Sequence, residues 1–492
     1  MSVNKFLIII CFIFLGSSCS IKNYSPTKKL SKENLQNDFS LLIKILEEKH
    51  PSLYWYTSKD SMDLYFNRYF NEIKDSMTDQ DFAWKIISPL LNKIKCGHTS
   101  VSMTKKYYKW EKQQKFKSFP YHLKIWADSM AVSRQQSLRD TFFKRGTIIK
   151  SINGLNVDML KNRVFDCFPQ DGNSTNVSYV RLSSNFPYYF RNVFGNFNNY
   201  EVNYIDSSGK NSVVVIPEYN PASDTLKKVS AIKIKQVPVS KFQKLEESRS
   251  FEIDSTGAFA IMRLNTFSKG RLRAFFRESF KQLRQNYIPN LILDIRINGG
   301  GRVSTSTLLT KYLSNTSFKV ADSVYSKTNT LSPYTKYFKN KFINNLQFLF
   351  IVRKHKDSLF HLNRYESKYY NIKKRNHFNG KTYVLINGPT FSASCLFANA
   401  IKGQKGITLV GEETGGGVYG NNGMMIPDLK LPYSKLRVRI PLFRIVQFHH
   451  VKEKGSGIMP DIYVPTNYEA LVKGYDKKMT LVKQLIFQSV KK

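Results

Sequence analysis

The spacing of apolar positions changes twice along this chain, and the changes divide it. Between residues 31 and 95 apolar side chains recur every three or four positions, as in Phe39, Leu42, Ile43 and Leu46, the mark of helices with one buried face. Ser31 supplies an N-cap and His50-Pro51 stops the first helix. Tyr65 to Ile73 and Phe82 to Ile94 repeat the pattern. The spacing predicts a small helical N-terminal domain over 31–104, with its helices ending at Lys95-Cys96-Gly97-His98-Thr99.

From 105 to 240 the pattern turns to strands and turns. Leu123 to Val132 reads as a strand, and Gly146 to Gly154 alternates apolar positions before an Asn153-Gly154 turn, which suits a hairpin. Residues 220–250 are polar and basic and mark a boundary. From Phe251 strand and helix alternate. Ala258 to Leu264, Asn290 to Ile297, Lys381 to Ile386 and Ile407 to Val410 are expected strands. Arg271 to Asn286, Ser304 to Leu313 and Ser392 to Lys402 are expected helices. The run from Asn290 is continuously apolar, as a strand covered on both faces requires. The order β-α-β-α argues for an α/β core with crossover connections over 250–470, followed by a C-terminal helix over 471–492. Residues 335–378, basic and aromatic, read as an insertion, and Leu436 to Val446 adds strands.

Length and composition agree with several folded domains. The chain has 492 residues, 41% hydrophobic and 14% aromatic, enough to bury a core and to exclude wholesale disorder. Lys and Arg number 76 against 36 Asp and Glu, a formal charge of +40. The cations are spread along the chain with no nucleic-acid motif, so a solvated basic surface is expected and no nucleic-acid partner. At the start, Lys5 precedes an apolar run from Phe6 to Leu15, too short to span a bilayer and suited to a signal peptide over 1–18. Cys19 follows Leu15-Gly16-Ser17-Ser18, which resembles the lipobox of bacterial lipoproteins with Gly16 at its aliphatic position. Lipidation of Cys19, a polar linker over 19–30 and a periplasm-facing, membrane-anchored lipoprotein of the cell envelope are the expectations. Cys96, Cys167 and Cys395 are too widely spaced for a disulfide framework or a zinc pattern, and unpaired buried thiols are expected.

Three turns at strand ends have the composition for chemistry. Asp294 to Gly301 ends in three glycines whose N–H groups suit an anion or a developing oxyanion, although Arg302-Val303 does not complete a phosphate loop. Asn387-Gly388-Pro389-Thr390-Phe391-Ser392 sets a serine where a helix opens, either as a plain N-cap or, by the logic of a nucleophile elbow, as an attacking group. Gly411-Glu412-Glu413-Thr414-Gly415-Gly416-Gly417 follows another strand. A serine nucleophile needs a base. Of eight histidines, His98 stands in a Gly-His-Thr turn, while His449 and His450 lie near Glu453.

Together these segments resemble the tail-specific (C-terminal processing) serine protease family, in its tricorn-core-like branch. The resemblance is carried by Gly97-His98-Thr99, Gly146 to Gly154, Asp294 to Gly301, Phe391-Ser392-Ala393-Ser394, Gly411 to Gly417 and Gly457-Ile458-Met459-Pro460-Asp461-Ile462, in the family's order. It implies a multidomain α+β protein: a helical N-terminal domain, a PDZ-like β domain over 105–240 and an α/β protease core. It further implies a serine endopeptidase of the cell envelope that cleaves unstructured or C-terminal polypeptide segments and needs no cofactor and no metal. Ser392 matches the nucleophile, His98 the general base and Glu453 the carboxylate that supports the base. The N–H groups of Ala393 and of Gly299 or Gly300 match the oxyanion donors. Gly415 to Gly420 holds no Lys, so the Ser-Lys arrangement of the other branch is not implied. Two positions depart from the family pattern, Gly97 replacing a Ser and Cys395 replacing a Glu, and Thr99 is the side chain beside His98 that could serve as relay. Two rival readings use the same residues. One is a non-catalytic peptide-binding protein that retains the protease fold, the other a hydrolase of non-peptide esters.

Overall fold

The structure, a computed structural model, describes residues 24–224, 240–339, 348, 351–448 and 454–490. Its central sheet has six strands in the order Arg249–Ile253, Ala260–Leu264, Asn290–Asp294, Lys381–Ile386, Ile407–Gly411 and Ile462–Tyr463. The first pairing is antiparallel and the others are parallel. Parallel neighbours need crossovers, and the helices Leu272–Gln285, Val303–Leu313 and Ala393–Ile401 provide them. Those helices bury Phe276, Phe280, Leu309 and Phe397 against one face of the sheet. The helix Lys477–Val490 covers the other, setting Val482 and Ile486 against Ile292 and Leu385. Double coverage explains why Leu291, Ile292 and Leu293 are all buried.

The amphipathic helices of the N-terminal part, Lys32–Lys49 and Lys59–Asn71, do not close on themselves alone. Their apolar faces share one core with Val324, Leu429, Val438 and Ile445, which come from the second half of the chain. Val324 and Ile445 belong to a five-stranded antiparallel sheet, Arg353–Lys354, Phe360–His361, Ala321–Ser326, Phe443–Gln447 and Gly420–Met424, and Leu429 and Val438 to a second, smaller one. A three-stranded sheet completes the junction, pairing Ser100–Ser102 with Arg437–Arg439, and that strand with Asp428–Lys430. A chain that reads as segments therefore packs as a continuous body.

Several local expectations need correction. Leu123 to Val132 is two strands, Tyr121–Ile125 and Met130–Gln135, because Trp126 to Ser129 closes a turn with an N–H to carbonyl bond of 2.8 Å. Among the described residues the strand-and-turn region also holds the helix Lys105–Glu111 and three more, Val157–Phe165, Asn176–Ser184 and Phe186–Phe194, and the aromatic residues of these three pack on its antiparallel sheet. Phe82–Ile87 is wound as a π-helix before Ser88–Lys93. The strand from Asn290 stops at Asp294, since Asn298 N–H turns back to the Ile295 carbonyl. The C-terminal segment breaks into Tyr468–Lys473 and Lys477–Val490, with Gly474 in the left-handed region between them. The hairpin at Asn153-Gly154 forms as its composition predicts, with positive φ at both turn residues and Ile152 opposite Leu155.

The signal segment and Cys19 lie outside the described residues, as do His449, His450 and Glu453. Among the described residues no helix is long and apolar enough to cross a membrane.

Candidate active site

The strand Lys381–Ile386 delivers the turn that ends at Ser392, and the helix Ala393–Ile401 leaves from it. Ser392 has φ 57° and ψ −122°, a backbone state that serine rarely adopts and that costs about 1–3 kcal/mol. Its side chain makes no capping hydrogen bond. An N-cap serine has extended backbone and accepts an N–H, so that reading of Ser392 fails on both counts. The turn holds a strained serine with its hydroxyl unspent on the fold.

His98 reaches the same point from the other end of the molecule. An ideal Cβ at Gly423 would stand 2.8 Å from Ser392 Oγ, 2.9 Å from His98 Nε2 and 2.9 Å from Asn421 Oδ1. Hydroxyl, imidazole and amide thus converge on the space that Gly423 leaves open. Gly423 lies where the pairing of Gly420–Met424 with Phe443–Gln447 slips between Asn421 and Met424. A bulge at this place re-aims the chain toward the site. Asn421 Oδ1 accepts the Gly423 N–H at 2.8 Å, while Asn421 Nδ2 has no partner among the described residues.

The imidazole itself is buried, and neither ring nitrogen has a hydrogen-bond partner among the described residues. Its ring lies 4.8 Å from that of Phe391. Burial, and secondarily the charge of Arg439, pushes the His98 pKa down to about 3. At neutral pH the ring is therefore uncharged and able to take a proton.

The departures from the family pattern have physical reasons. A Cβ at Gly97 would stand 2.4 Å from Phe391 Cζ and 3.1 Å from Asp171 Oδ1, so any side chain there collides with the turn before Ser392. Thr99 is not beside His98 as a relay: its hydroxyl is 2.8 Å from His50 Nε2, and Ser52 N–H donates to His50 Nδ1. Cys395 is fully buried, its thiol directed to the Thr390 and Gly416 carbonyls and its pKa pushed up to about 12 by burial. Such a thiol is inert. Cys96 is likewise buried and accepts from Asn422 Nδ2, Cys167 is half-buried, and all three are unpaired.

On the oxyanion side, Gly300 adopts φ 94° and lies directly against the nucleophile turn. A Cβ there would meet the Phe391 carbonyl at 2.7 Å, Ser392 Cβ at 2.7 Å and Ala393 N at 2.9 Å. Its N–H, however, donates to Asn298 Oδ1 at 3.0 Å, which removes Gly300 as a free donor. The Ala393 and Gly299 N–H groups enter no hydrogen bond among the described residues. Asn298 Nδ2 is buried close by without a partner among the described residues.

Asp171 is the residue that sequence reasoning missed most completely. Fully buried, it accepts the Gly97 N–H at 2.7 Å and the Gly417 N–H at 3.4 Å, so one carboxyl group ties the base loop to the glycine-rich loop. Around it Gly172 N–H bonds the Lys95 carbonyl, Asn173 N–H the Gly455 carbonyl, and Ser174 Oγ the Thr414 carbonyl. Burial raises the Asp171 pKa to about 7. The folded state therefore holds this proton more tightly than the unfolded chain. The stability tied to Asp171 is full below the ordinary carboxyl pKa near 4 and is lost as pH rises toward about 7. An Asp171→Asn chain is expected to lose that decline. Melting temperatures of the two chains across this range check it, and an unchanged difference between them at every pH would refute it.

Residues 258–464 match the model of peptidase family S41. No curated protein matches the sequence. Among solved structures, mature CPAF complexed with lactacystin aligns with a TM-score of 0.60 at 13% identity, covering 93% of this chain and 98% of that one. Mature CPAF without that compound aligns at 0.59 and 14%, with the same coverage. At such identity the likeness is one of fold.

Proposed function

We propose, from the premise that this chain is a serine-type peptidase with a family S41 domain at residues 258–464, that Ser392 is its nucleophile and His98 its general base. The observation that carries the proposal is the convergence of Ser392 Oγ and His98 Nε2 on the open space at Gly423. In the forward step His98 Nε2 takes the hydroxyl proton as Ser392 Oγ attacks the peptide carbonyl, and the same proton then goes to the leaving amine. The Ala393 and Gly299 N–H groups receive the oxyanion; each such donor typically lowers the barrier by about 2.7–4 kcal/mol. Glu453 is the carboxylate we assign to support His98, acting through a second side chain.

The substrate we assign is an extended or C-terminal polypeptide segment, held by the antiparallel region over 105–240 acting as a PDZ-like domain through strand addition. The chain acts at the cell envelope, anchored through lipidated Cys19.

Fluorophosphonate labelling tests the central assignment. The adduct is expected on Ser392, to require His98, and to form at undiminished rate well below pH 6.5, because the folded His98 stays neutral until about pH 3. A chain that merely kept the fold would not label. Labelling that survives His98→Ala would remove His98 as base, and labelling that falls away through pH 6.5 would show that burial does not lower its pKa.

A further inference from the structure

Away from the active site the fold forms an open cleft of about 720 Å³. Its walls come from chain segments around Tyr24, Asp79, Thr104 and Tyr433, together with Lys339. Seven Lys or Arg line it against a single carboxylate, Asp79. That carboxylate is already engaged, since Tyr24 Oη donates to Asp79 Oδ1 at 2.8 Å. Lys105 and Lys430 enter no ion pair among the described residues, and Arg437 pairs only with Asp428, at 3.6 Å. Like charges gathered in a concavity repel one another, and an anion relieves them.

The walls are held in place. Asp38, fully buried, accepts the Tyr433 N–H at 2.9 Å and the Ser434 N–H at 2.7 Å, fixing the loop that carries Lys435. The Tyr24 ring packs edge-on against Tyr107 at 5.3 Å and tilted against Trp110 at 5.1 Å. Arg437 donates to the Met103 carbonyl through Nε and Nη2. The fold thus fixes the aromatic wall, the Tyr433–Ser434 loop and Arg437, and the six lysines stand exposed around them.

We propose that this cleft binds the phosphate-bearing headgroup of an anionic lipid. The ammonium groups of Lys105 and Lys430 suit phosphoryl oxygens as point charges, while the Arg437 fork, spent on Met103, adds only its charge. Leu30 and the half-exposed Tyr433 give the cavity an apolar side, which a glycerol backbone fits and a bare phosphate does not use. Position favours the membrane as the source. Tyr24, on the wall, is five residues after Cys19, and an extended chain of that length spans at most about 17 Å. Anionic lipid surfaces attract basic groups within such a distance. The choice of a lipid rests on the Cys19 anchor proposed above, and the cleft stands apart from the catalytic assignment, because none of its lining residues is Ser392 or His98.

Titration calorimetry of the full chain tests it, with dihexanoyl phosphatidylglycerol below its micelle concentration, dihexanoyl phosphatidylcholine and inorganic phosphate as ligands. The short-chain lipids make the result independent of the apolar N-terminal run. Saturable binding is expected for the phosphatidylglycerol, with little for the phosphatidylcholine. The double variant Lys105→Gln, Lys430→Gln is expected to weaken it about 30-fold. Lys150→Gln, on another domain, is expected to leave it unchanged, and all variants keep the parent's peptidase activity. Equal affinity of parent and double variant would overturn the site. Inorganic phosphate binding as tightly as the lipid would overturn the headgroup assignment and leave a soluble anion as the ligand.

Discussion

A Ser392→Ala chain is expected to fold as the parent does and to lose turnover by about 10⁴–10⁶-fold. The two halves of that statement come from one observation. The Ser392 hydroxyl makes no capping bond to the helix it precedes, so its removal deletes no contact that the fold uses. The same hydroxyl faces His98 Nε2 across the space at Gly423, so its removal deletes the attacking atom. A serine held only as a cap would give the opposite pair of results, a loss of about 1 kcal/mol in stability with activity retained. Thermal melts and cleavage of an unstructured peptide, measured on the same preparation, separate the two. Wild-type turnover in the alanine chain would end the proposed mechanism. Because Ser392 has φ 57°, Ser392→Gly is expected to be equally inactive and somewhat more stable than the parent, since glycine adopts that φ without strain.

Gly423→Ala is expected to lower kcat by at least about 100-fold with little change in melting temperature. The added methyl would stand 2.8 Å from Ser392 Oγ and 2.9 Å from His98 Nε2, closer than either contact permits. The atoms it meets are side-chain ends, which can swing aside without moving the backbone. Catalysis is more sensitive than stability here. A proton passes between hydroxyl and imidazole only over hydrogen-bond distance, and a methyl wedge in the space between them keeps the two from closing to it. The loss is expected in kcat more than in KM, because the wedge stands at the reacting atoms and not along the substrate's length. Steady-state kinetics checks this. An alanine chain with parental kcat would show that Ser392 and His98 do not work across that space.

The residues around this site differ in how openly the sequence announces them. Ser392 was legible because a buried strand, a Pro-containing turn and a helix follow one another within a short window, and the window contains one hydroxyl at the corner. His98 was legible as a candidate because it interrupts the end of a helical pattern between Gly97 and Thr99. The bulge at Asn421 to Gly423 was not. Gly420-Asn421-Asn422-Gly423 has the composition of a turn, and its strand identity comes from pairing with Phe443–Gln447. Asp171 was equally silent, since Gln170-Asp171-Gly172-Asn173 reads as a polar loop and its burial depends on loops contributed by two distant segments. The helices from Val157 to Phe194 were hidden for a different reason. Their aromatic residues bury against a sheet, and the short stretches between Pro and Gly carry too few turns to display a helical period.

What the amino-acid order settled by itself is local: where strands and helices alternate, where glycines free the backbone at Gly300, and where a serine must stand at a strand-to-helix corner. Those features depend on side-chain period and on steric limits of single residues, and both are complete within a dozen positions. The tertiary structure alone decided that His98 meets Ser392. The two are far apart in the chain, and no period links them. They meet because the N-terminal helices bury their apolar faces in a core shared with Val438 and Ile445, which draws the loop after those helices onto the α/β sheet. Burial of apolar surface is nondirectional, so it fixes which segments coalesce only once the whole chain is packed.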